Sequence, residues 1–399
     1  MLTSLALIFL VGLATASACQ RLRLPRIVGM LVTGIVLGPY ALDLLDASIL
    51  GISAELRQMA LVIILIKAGL SLNIADLKKV GRPAVLMSFL PAIFEILAFV
   101  VIAPWLLGVT QIEAAVMGAV LGAVSPAVVV PRMVRLMETR YGTGKGIPQL
   151  LLAGASLDDV FVIVLFSTFV GIAQGGTASL VNFIGIPVSI LLGLALGGIT
   201  GVLLAAFFET SYAHKRCVRN SVKVMIVLGF AFILIAVETW LDGIVPLSGL
   251  LAVMGMACAL RMRSPAFVSR RLCEKFGKLW LAAEVILFVL VGAAVDIRYT
   301  ADAGVAAVGM ILIALCFRAV GVLLSLVKTQ LMARERLFCV ISYLPKATVQ
   351  AAIGSIPLSL GLPCGNIVLS VAVLSILITA PLGAIGMDIS YRTLLVKER

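Results

Sequence analysis

The sequence predicts an all-α polytopic membrane protein with about 13 transmembrane helices, and three observations support this fold class. Hydrophobic residues make up 62% of the 399 residues and charged residues only 13%, whereas soluble domains are roughly a quarter charged. The mean hydropathy is +1.19. Many stretches reach the roughly 20 apolar residues that a helix needs to cross the hydrocarbon core of a bilayer, and the short alternating strands of a membrane barrel are absent.

Thirteen apolar segments follow one another along the chain, and we number them one to thirteen. Their approximate limits are 2–18, 25–45, 54–75, 83–106, 112–133, 148–174, 179–207, 220–240, 246–261, 277–297, 301–327, 336–358 and 365–387. Segment one ends in Ala16-Ser17-Ala18, which resembles a signal-peptide cleavage site. Because no Lys or Arg precedes it, as a signal peptide normally requires, we interpret it as a membrane helix that begins outside.

The basic residues are distributed as the positive-inside rule requires. With an external N-terminus, the predicted cytoplasmic loops hold 26 of the 31 Lys and Arg residues. These residues are Arg21, Arg23, Arg26, Lys78, Lys79, Arg82, Arg132, Arg135, Arg140, Lys145, Lys215, Arg216, Arg219, Lys223, Arg261, Arg263, Arg270, Arg271, Lys275, Lys278, Lys328, Arg334, Arg336, Arg392, Lys397 and Arg399. We therefore expect a multi-pass protein of the bacterial inner (plasma) membrane with a cytoplasmic C-terminus. This distribution explains the net charge of +12 without a nucleic-acid partner.

The two halves of the sequence resemble each other. Three pairs of stretches match at offsets of 219 to 223 residues: Pro25–Gly34 with Pro246–Gly255, Gly69–Ile74 with Gly292–Ile297, and Pro126–Val130 with Pro345–Val349. Segments two to six thus repeat as segments nine to thirteen. Because the offset is seven helices, an odd number, the two five-helix repeats are inverted. Inverted repeats with broken helices at matching positions are typical of secondary transporters.

Proline predicts a break in segment five and in its repeat counterpart, segment twelve. The first contains Ser125-Pro126 and Pro131, and the second contains Pro345-Lys346. Proline removes a backbone donor and clashes with the preceding turn, and backbone groups freed at the midplane need protein, ions or water beside them. Simple kinks are the alternative, but two breaks at repeat-related positions indicate a functional site at two broken, crossing helices.

Seven ionisable residues fall deep inside the predicted segments, where each needs a partner or a function. They are Lys67, Glu95, Asp158, Asp159, Glu284, Arg318 and Lys346. Asp158 and Asp159 lie about ten residues into segment six, which is about 15 Å along a helix and near the bilayer midplane. Adjacent carboxylates repel each other, and a hard cation or protons relieve this repulsion at each other's expense. The pair therefore predicts a site where a cation and protons compete.

The other deep charges suggest pairing. Glu95 and Arg318 are repeat-equivalent residues of opposite charge, so we predict a buried ion pair that joins segments four and eleven. Lys346 lies at the break in segment twelve, where the carbonyl ends of half-helices attract a cation. For Lys67 and Glu284 the sequence suggests only mutual or headgroup pairing. No nucleophile–base set, metalloprotease motif or phosphate loop occurs, and we expect neither an enzyme nor a cofactor.

Three stretches resemble motifs of a known family. They are Gly154–Asp159, Val124–Pro131 and Pro345–Ala352. The first resembles the paired-aspartate motif of the monovalent cation/proton antiporter superfamily with the NhaA/NapA-like fold, and the other two resemble its NHA-type sodium/proton branch. The resemblance covers nearly the whole chain and implies exchange of Na⁺ or Li⁺ for H⁺ by alternating access. It implies that Asp159 is the principal ion carrier.

The expected site combines ion carriers with charge compensation. The expected ion-binding and proton-carrying residues are Asp159, Asp158 and Ser125, with the two aspartates as ligands of Na⁺ or Li⁺. Lys346, Arg318 and Glu95 are expected to compensate charge. Some electrogenic relatives have lysine in place of Arg318, and because arginine does not deprotonate in proteins, proton transport by this residue is not expected.

The resemblance also implies a homodimer in the lipid bilayer, and each protomer has two domains. The expected boundaries are 1–78 and 215–300 for a scaffold and dimerisation domain, 79–175 and 301–388 for an ion-transporting core, 176–214 for a linker helix and 389–399 for a cytoplasmic tail.

Other transport functions stay open on the sequence. A K⁺/H⁺ exchanger on the same fold is one, although paired aspartates favour the smaller ion. A sodium-coupled symporter for an organic anion needs more polar lining than the sequence offers, and broken helices around carboxylates argue against an open ion channel. Adjacent carboxylates favour two coupled titrations and hence electrogenic exchange. One-for-one exchange follows instead if Lys346 stays paired with Asp158.

Overall fold

The structure is a computed structural model that describes residues 1–22, 24–71, 81–175, 180–213, 218–241 and 247–398. Some residues on which the sequence predictions depend lie outside these ranges. They are the basic residues Arg23, Lys78, Lys79, Lys215, Arg216 and Arg399, the repeat residues Leu72, Asn73, Ile74 and Pro246, and residues 176–179 and 214 of the predicted linker helix.

The described residues form α-helices joined by short connections. The helices are α1 Leu2–Arg21, α2 Arg26–Leu37, α3 Ala47–Gly51, α4 Ser53–Ser71, α5 Arg82–Met87, α6 Leu90–Leu107, α7 Gln111–Leu121, α8 Pro126–Glu138, α9 Ile147–Ala173, α10 Leu180–Ala213, α11 Asn220–Trp240, α12 Gly249–Arg263, α13 Ala266–Ala293, α14 Ile297–Ser325, α15 Ala333–Ser342, α16 Thr348–Ile353, α17 Ile356–Ser359 and α18 Gly365–Leu394. Within the described ranges, β-structure is limited to an isolated bridge between Tyr141 and Lys397.

Nine stretches of the described helices are long and apolar enough to cross a membrane. They are Leu2–Arg21, Arg82–Leu107, Gln111–Glu138, Ile147–Ala173, Leu191–Ser211, Asn220–Trp240, Ala266–Ala293, Gly304–Ser325 and Gly365–Leu394. Arg26–Leu37 is a shorter apolar helix. The predicted all-α polytopic membrane fold is confirmed, whereas the count of about 13 transmembrane helices stays a prediction. Several predicted segments fold as helices that are shorter than a membrane-spanning helix, such as α2, α12 and α15.

The chain divides into two compact units. The first comprises Met1–Arg57, Asn73–Gln174 and Val285–Arg399, and the second comprises Gln58–Leu72 and Gly175–Glu284. The first unit contains α7, α8, α15 and α16 and, with them, both predicted breaks. The predicted boundaries of scaffold, core and linker stay a prediction.

In the first unit, α6 packs closely against α14. Gly321 of α14 faces the backbone of α6, where an added Cβ would lie 2.7 Å from the Cα atom of Pro91. Glu95 follows Pro91 by one helical turn, and Arg318 precedes Gly321 by about one turn, so the two charged side chains project from the contacting faces. The glycine therefore permits the close approach that brings the two charges together.

In the second unit, α10 packs against α12 through a row of glycines. Gly193, Gly197 and Gly201 recur every four residues and so share one helix face. An added Cβ on each glycine would collide with a backbone carbonyl oxygen opposite it. These oxygens belong to Ser248, Ala252 and Met256 respectively. Small residues at this spacing let membrane helices approach to backbone contact, where packing replaces the hydrophobic effect that lipid removes.

We expect Gly197→Ala to destabilise this unit and Gly198→Ala to leave it unchanged. The Cβ at position 197 collides with the backbone of α12, while nothing lies within 4 Å of a Cβ at position 198. Overpacking of this kind costs about 1–3 kcal/mol. Thermal unfolding of the two purified variants in the same detergent measures the difference, and equal midpoints would contradict the packing described here.

Candidate functional site

Both breaks that proline predicts are confirmed, and they touch each other. The first lies between α7, which ends at Leu121, and α8, which begins at Pro126. The second lies between α15 and α16, where residues 343–347 are not α-helical. The backbone N–H of Ser125 donates to the carbonyl oxygen of Pro345 at 2.8 Å. The two broken helices therefore meet at their breaks.

Three consecutive carbonyl groups at the end of α7 receive side-chain donors from the second half of the sequence. The pairs are Lys346 Nζ to Leu121 O, Arg318 Nη1 to Gly122 O at 2.5 Å, and Gln350 Nε2 to Ala123 O at 2.8 Å. The C-terminus of a helix carries partial negative charge, so two cations and an amide are suitable donors. The expectation that half-helix carbonyls attract Lys346 is confirmed.

Four further backbone groups of the two breaks are also bound by buried side chains. Val124 N–H donates to Asp158 Oδ2 at 2.7 Å, Lys346 N–H to Thr379 Oγ1 at 2.9 Å, and Ala347 N–H to Gln350 Oε1 at 2.7 Å, while Tyr343 O accepts from Arg318 Nε at 2.7 Å. A buried backbone group without a partner is costly, and the membrane interior offers no water to replace one. Side chains therefore take over the bonds that the helices lose.

Four of the deep charges form one buried cluster. Arg318 Nη1 lies 2.6 Å from Glu95 Oε2, and Arg318 Nη2 lies 3.2 Å from Asp158 Oδ2. Lys346 Nζ lies 2.5 Å from the same Glu95 oxygen. Each of these side chains is at most 1% exposed. The predicted Glu95–Arg318 pair is present, but it belongs to a larger network that includes Asp158.

One pairing differs from the sequence-based alternative. Lys346 has its ion-pair contact with Glu95 rather than with Asp158, whose ion-pair contact is with Arg318. The reason is geometric: the planar guanidinium of Arg318 reaches two carboxylates at once, and Lys346 is directed to the carbonyl end of α7 and to Glu95.

Asp159 differs from its neighbour. It is 7% exposed, and in the part of the chain that the structure describes its carboxylate has no ion-pair partner within 4 Å. Its Oδ1 atom also makes no hydrogen bond. Five further buried oxygens at the breaks and on α9 lack hydrogen-bond partners: Ser125 Oγ, Asp158 Oδ1, Thr348 Oγ1, Tyr343 Oη and Gln149 Oε1. Unpartnered buried oxygens are rare in proteins, and here they accompany an acidic side chain without a counter-charge.

Sequence reasoning missed Thr348 and Gln350. Thr348 is the first residue of α16 and immediately follows the second break, much as Ser125 immediately precedes α8. A hydroxyl residue beside each proline break was the available signal for Thr348. Nothing in the sequence pattern distinguishes Gln350, because its partners Ala123 and Ala347 are apolar residues that bind through their backbone.

The two remaining deep charges lie away from this cluster along the chain and in the second unit. Lys67 of α4 places its Nζ atom 5.8 Å from the ring centroid of Trp280, which stabilises the ammonium group by a cation–π contact. Glu284 belongs to the same unit.

The chain is similar to known exchangers over nearly its whole length. Residues 5–388 match the family model described as "Sodium/hydrogen exchanger, transmembrane". Sodium/hydrogen exchanger 9B2 of Homo sapiens is 35% identical over 383 residues, which are 91% of this chain and 68% of that protein. The Mus musculus protein of the same name is 34% identical over 377 residues, or 91% and 67% of the two chains.

A solved structure shares the fold. The sodium proton antiporter MjNhaP1 from Methanocaldococcus jannaschii at pH 8 superposes with a TM-score of 0.83 and is 22% identical. The match covers 98% of this chain and 97% of that one. At this level of identity the similarity concerns the arrangement of the helices.

We expect Glu95→Gln to destabilise the protein far more than Glu274→Gln. Glu95 is the counter-charge of two buried cations, and breaking a buried pair costs about 3–5 kcal/mol because the partner charge is stranded. Glu274 forms an exposed pair with Arg270 at 3.2 Å, and such pairs contribute about 0–1 kcal/mol. Denaturation of both variants in mixed detergent micelles measures the two costs. Similar losses would show that the cluster at Glu95 is not held by its charges.

Proposed function

The chain belongs to the sodium/hydrogen exchanger family, and from this premise we propose that it exchanges Na⁺ or Li⁺ for H⁺ by alternating access, with Asp159 as the principal carrier. It is an integral multi-pass membrane protein whose family carries out cation/proton antiport. The observation that carries the finer proposal is the contrast between Asp159 and the other deep charges. Asp159 has no ion-pair partner among the described residues, whereas Glu95, Asp158, Arg318 and Lys346 neutralise one another.

The contact pattern separates the roles of the two aspartates. Asp158 Oδ2 accepts from the backbone of Val124 and from Arg318, so its negative charge is needed where it is. Asp159 is free to bind either a cation or a proton, and a buried carboxylate without either is unstable. Binding of one therefore requires release of the other, and this competition couples the two fluxes.

The unpartnered oxygens suggest the ligands of the cation. Hard cations prefer carboxylate and hydroxyl oxygens. Asp159 Oδ1, Asp158 Oδ1, Ser125 Oγ and Thr348 Oγ1 supply such atoms from α9 and from the breaks. The backbone carbonyls of Leu121, Gly122 and Ala123 already accept side-chain donors, so we assign the ligands to side chains. Thr348 joins the expected residues Asp158, Asp159 and Ser125.

The charge balance of the cluster favours one-for-one exchange. Two positive charges, on Arg318 and Lys346, face three negative ones, on Glu95, Asp158 and Asp159. One cation or one proton makes the cluster neutral, and two protons leave it with a positive charge. Net charge inside a membrane is expensive, so the neutral states are the ones suited to translocation. Asp158 is bound to Arg318, so the two adjacent aspartates are not an isolated pair of carboxylates.

The remaining elements of the proposal are those that the resemblance implies, together with the orientation that the distribution of basic residues predicts. The core of residues 79–175 and 301–388 moves against the scaffold in a homodimer, the N-terminus is outside, and the C-terminus is cytoplasmic. K⁺/H⁺ exchange and sodium-coupled transport of an organic anion are the alternatives. Cation-dependent proton flux in proteoliposomes, measured separately with Na⁺, Li⁺ and K⁺, distinguishes them.

We predict that Asp159→Asn abolishes exchange in proteoliposomes while the purified protein stays folded, since the carrier charge is lost and the side-chain volume is kept. Asp158→Asn, in contrast, is predicted to lower thermal stability, because Arg318 then loses a counter-charge. Flux and thermal unfolding are measured on both variants. A wild-type exchange rate in Asp159→Asn would disprove the assignment of the carrier.

We also predict electroneutral exchange. A membrane potential imposed with a potassium gradient and valinomycin, at equal sodium and equal pH on both sides, is expected to drive no proton movement through the protein. A chemical sodium gradient in the same vesicles serves as the positive control, because it must drive proton flux. Proton movement driven by the potential alone would establish an electrogenic stoichiometry instead.

A further inference from the structure

A single neutral side chain links the two breaks. Gln350 is fully buried on α16. Its Nε2 atom donates to Ala123 O at 2.8 Å, and its Oε1 atom accepts from Ala347 N–H at 2.7 Å. The primary amide thus acts as a donor toward the first break and as an acceptor toward the second. Lys346 and Arg318 also bind carbonyls at the first break, but they do so as cations of the charge cluster.

The two backbone groups that Gln350 binds lie within two residues of two unpartnered hydroxyls, those of Ser125 and Thr348. Ala123 precedes Ser125 by two residues, and Ala347 immediately precedes Thr348. Consecutive Cα atoms are 3.8 Å apart and joined by planar peptides, so fixing Ala123 and Ala347 restricts the positions of the next residues. The length of one glutamine side chain therefore contributes directly to the distance between Ser125 Oγ and Thr348 Oγ1.

The distance between oxygen ligands decides which cation fits. Li⁺, Na⁺ and K⁺ carry the same charge and differ in radius, and selectivity between such ions depends on cavity size, ligand number and the rigidity of the ligands. We propose that Gln350 is the positioning residue that sets the size selectivity of the cation site by holding the Ser125 and Thr348 hydroxyls at a fixed separation. The proposal rests on the exchange function proposed above.

The breaks keep other anchors when Gln350 is replaced. Ser125 N–H still donates to Pro345 O, and Arg318 still binds the carbonyls of Gly122 and Tyr343. Loss of the amide is therefore expected to loosen the spacing of the two hydroxyls without separating the helices. A change in ion preference in a folded protein is the signature of a positioning role, and a loss of stability alone is the signature of a structural one.

The test compares Gln350→Met and Gln350→Asn with a matched control. Methionine has a similar length but can make neither of the two hydrogen bonds of the glutamine amide. Asparagine keeps the amide but is one methylene too short to reach both breaks. Ser342→Ala is the control, because Ser342 is equally buried at the end of α15 and, among the described residues, its hydroxyl donates to Phe338 O of its own helix at 2.9 Å. KM and kcat for Li⁺, Na⁺ and K⁺ are measured at one pH in proteoliposomes.

Both Gln350 variants are expected to change the ratio of the KM values for Li⁺ and Na⁺, or for K⁺ and Na⁺, by about two- to tenfold, the effect of one hydrogen bond. Ser342→Ala is expected to keep the wild-type ratios. Variants of Gln350 with unchanged ratios and only a lower unfolding temperature would overturn the proposal. Stabilisation of the purified proteins against heat by each chloride salt gives the same ion ranking when a variant transports too slowly.

The two proposals fail in different ways. Wild-type protein without cation-dependent proton flux and without cation-dependent thermal stabilisation contradicts the proposed exchange function, and the assignment of Gln350 with it. Wild-type protein that responds to cations, beside Gln350 variants with the wild-type ion ranking, contradicts the assignment of Gln350 alone.

Discussion

The hydrogen bonding of the backbone at the two helix breaks is the constraint on which the rest of the first unit depends. Breaking two helices inside a membrane frees N–H and C=O groups where water is absent, so side chains must replace the lost bonds. Arg318 is central because it binds Gly122 O at one break and Tyr343 O at the other, together with Glu95 and Asp158. A lysine presents a single nitrogen atom and lacks the planar fork that serves four acceptors. This arginine therefore joins the architecture of the site to its charge.

This arrangement separates the groups that stabilise the site from the group that is free to act. Glu95 is shared by two cations, and Asp158 is engaged by Arg318 and by the backbone of Val124. Both carboxylates therefore already have fixed partners. Asp159, one residue further along α9, points about 100° away from Asp158 around the helix. Among the described residues it makes no ion-pair contact with the cluster. We propose different roles for these two chemically identical neighbours because only one of them contacts the cationic cluster.

The helices within each unit are held together by different physical means. In the second unit, Gly193, Gly197 and Gly201 let α10 approach the backbone of α12, and close packing supplies the attraction that lipid would otherwise cancel. In the first unit, polar bonds between half-helices carry much of the specificity, and Gly321 is needed only to bring α6 near enough to α14 for Glu95 to reach Arg318. A helix contact through glycines leaves little room for a larger side chain, and a hydrogen-bonded break tolerates few changes in the position of its donors.

The sequence by itself determined the membrane fold, the two breaks and the charged residues of the buried cluster, because composition, proline and the cost of burying charge act locally. Repeat register even identified the Glu95–Arg318 pair. Only the tertiary structure decided that Arg318 also binds Asp158, that Lys346 binds Glu95, and that Gln350 links the breaks. These contacts join residues 160, 251 and 227 positions apart. Helical periodicity fixes which residues share a face, but the crossing of two broken helices decides which faces meet. The partners of Gln350 are backbone groups, so the pattern of side chains does not predict them.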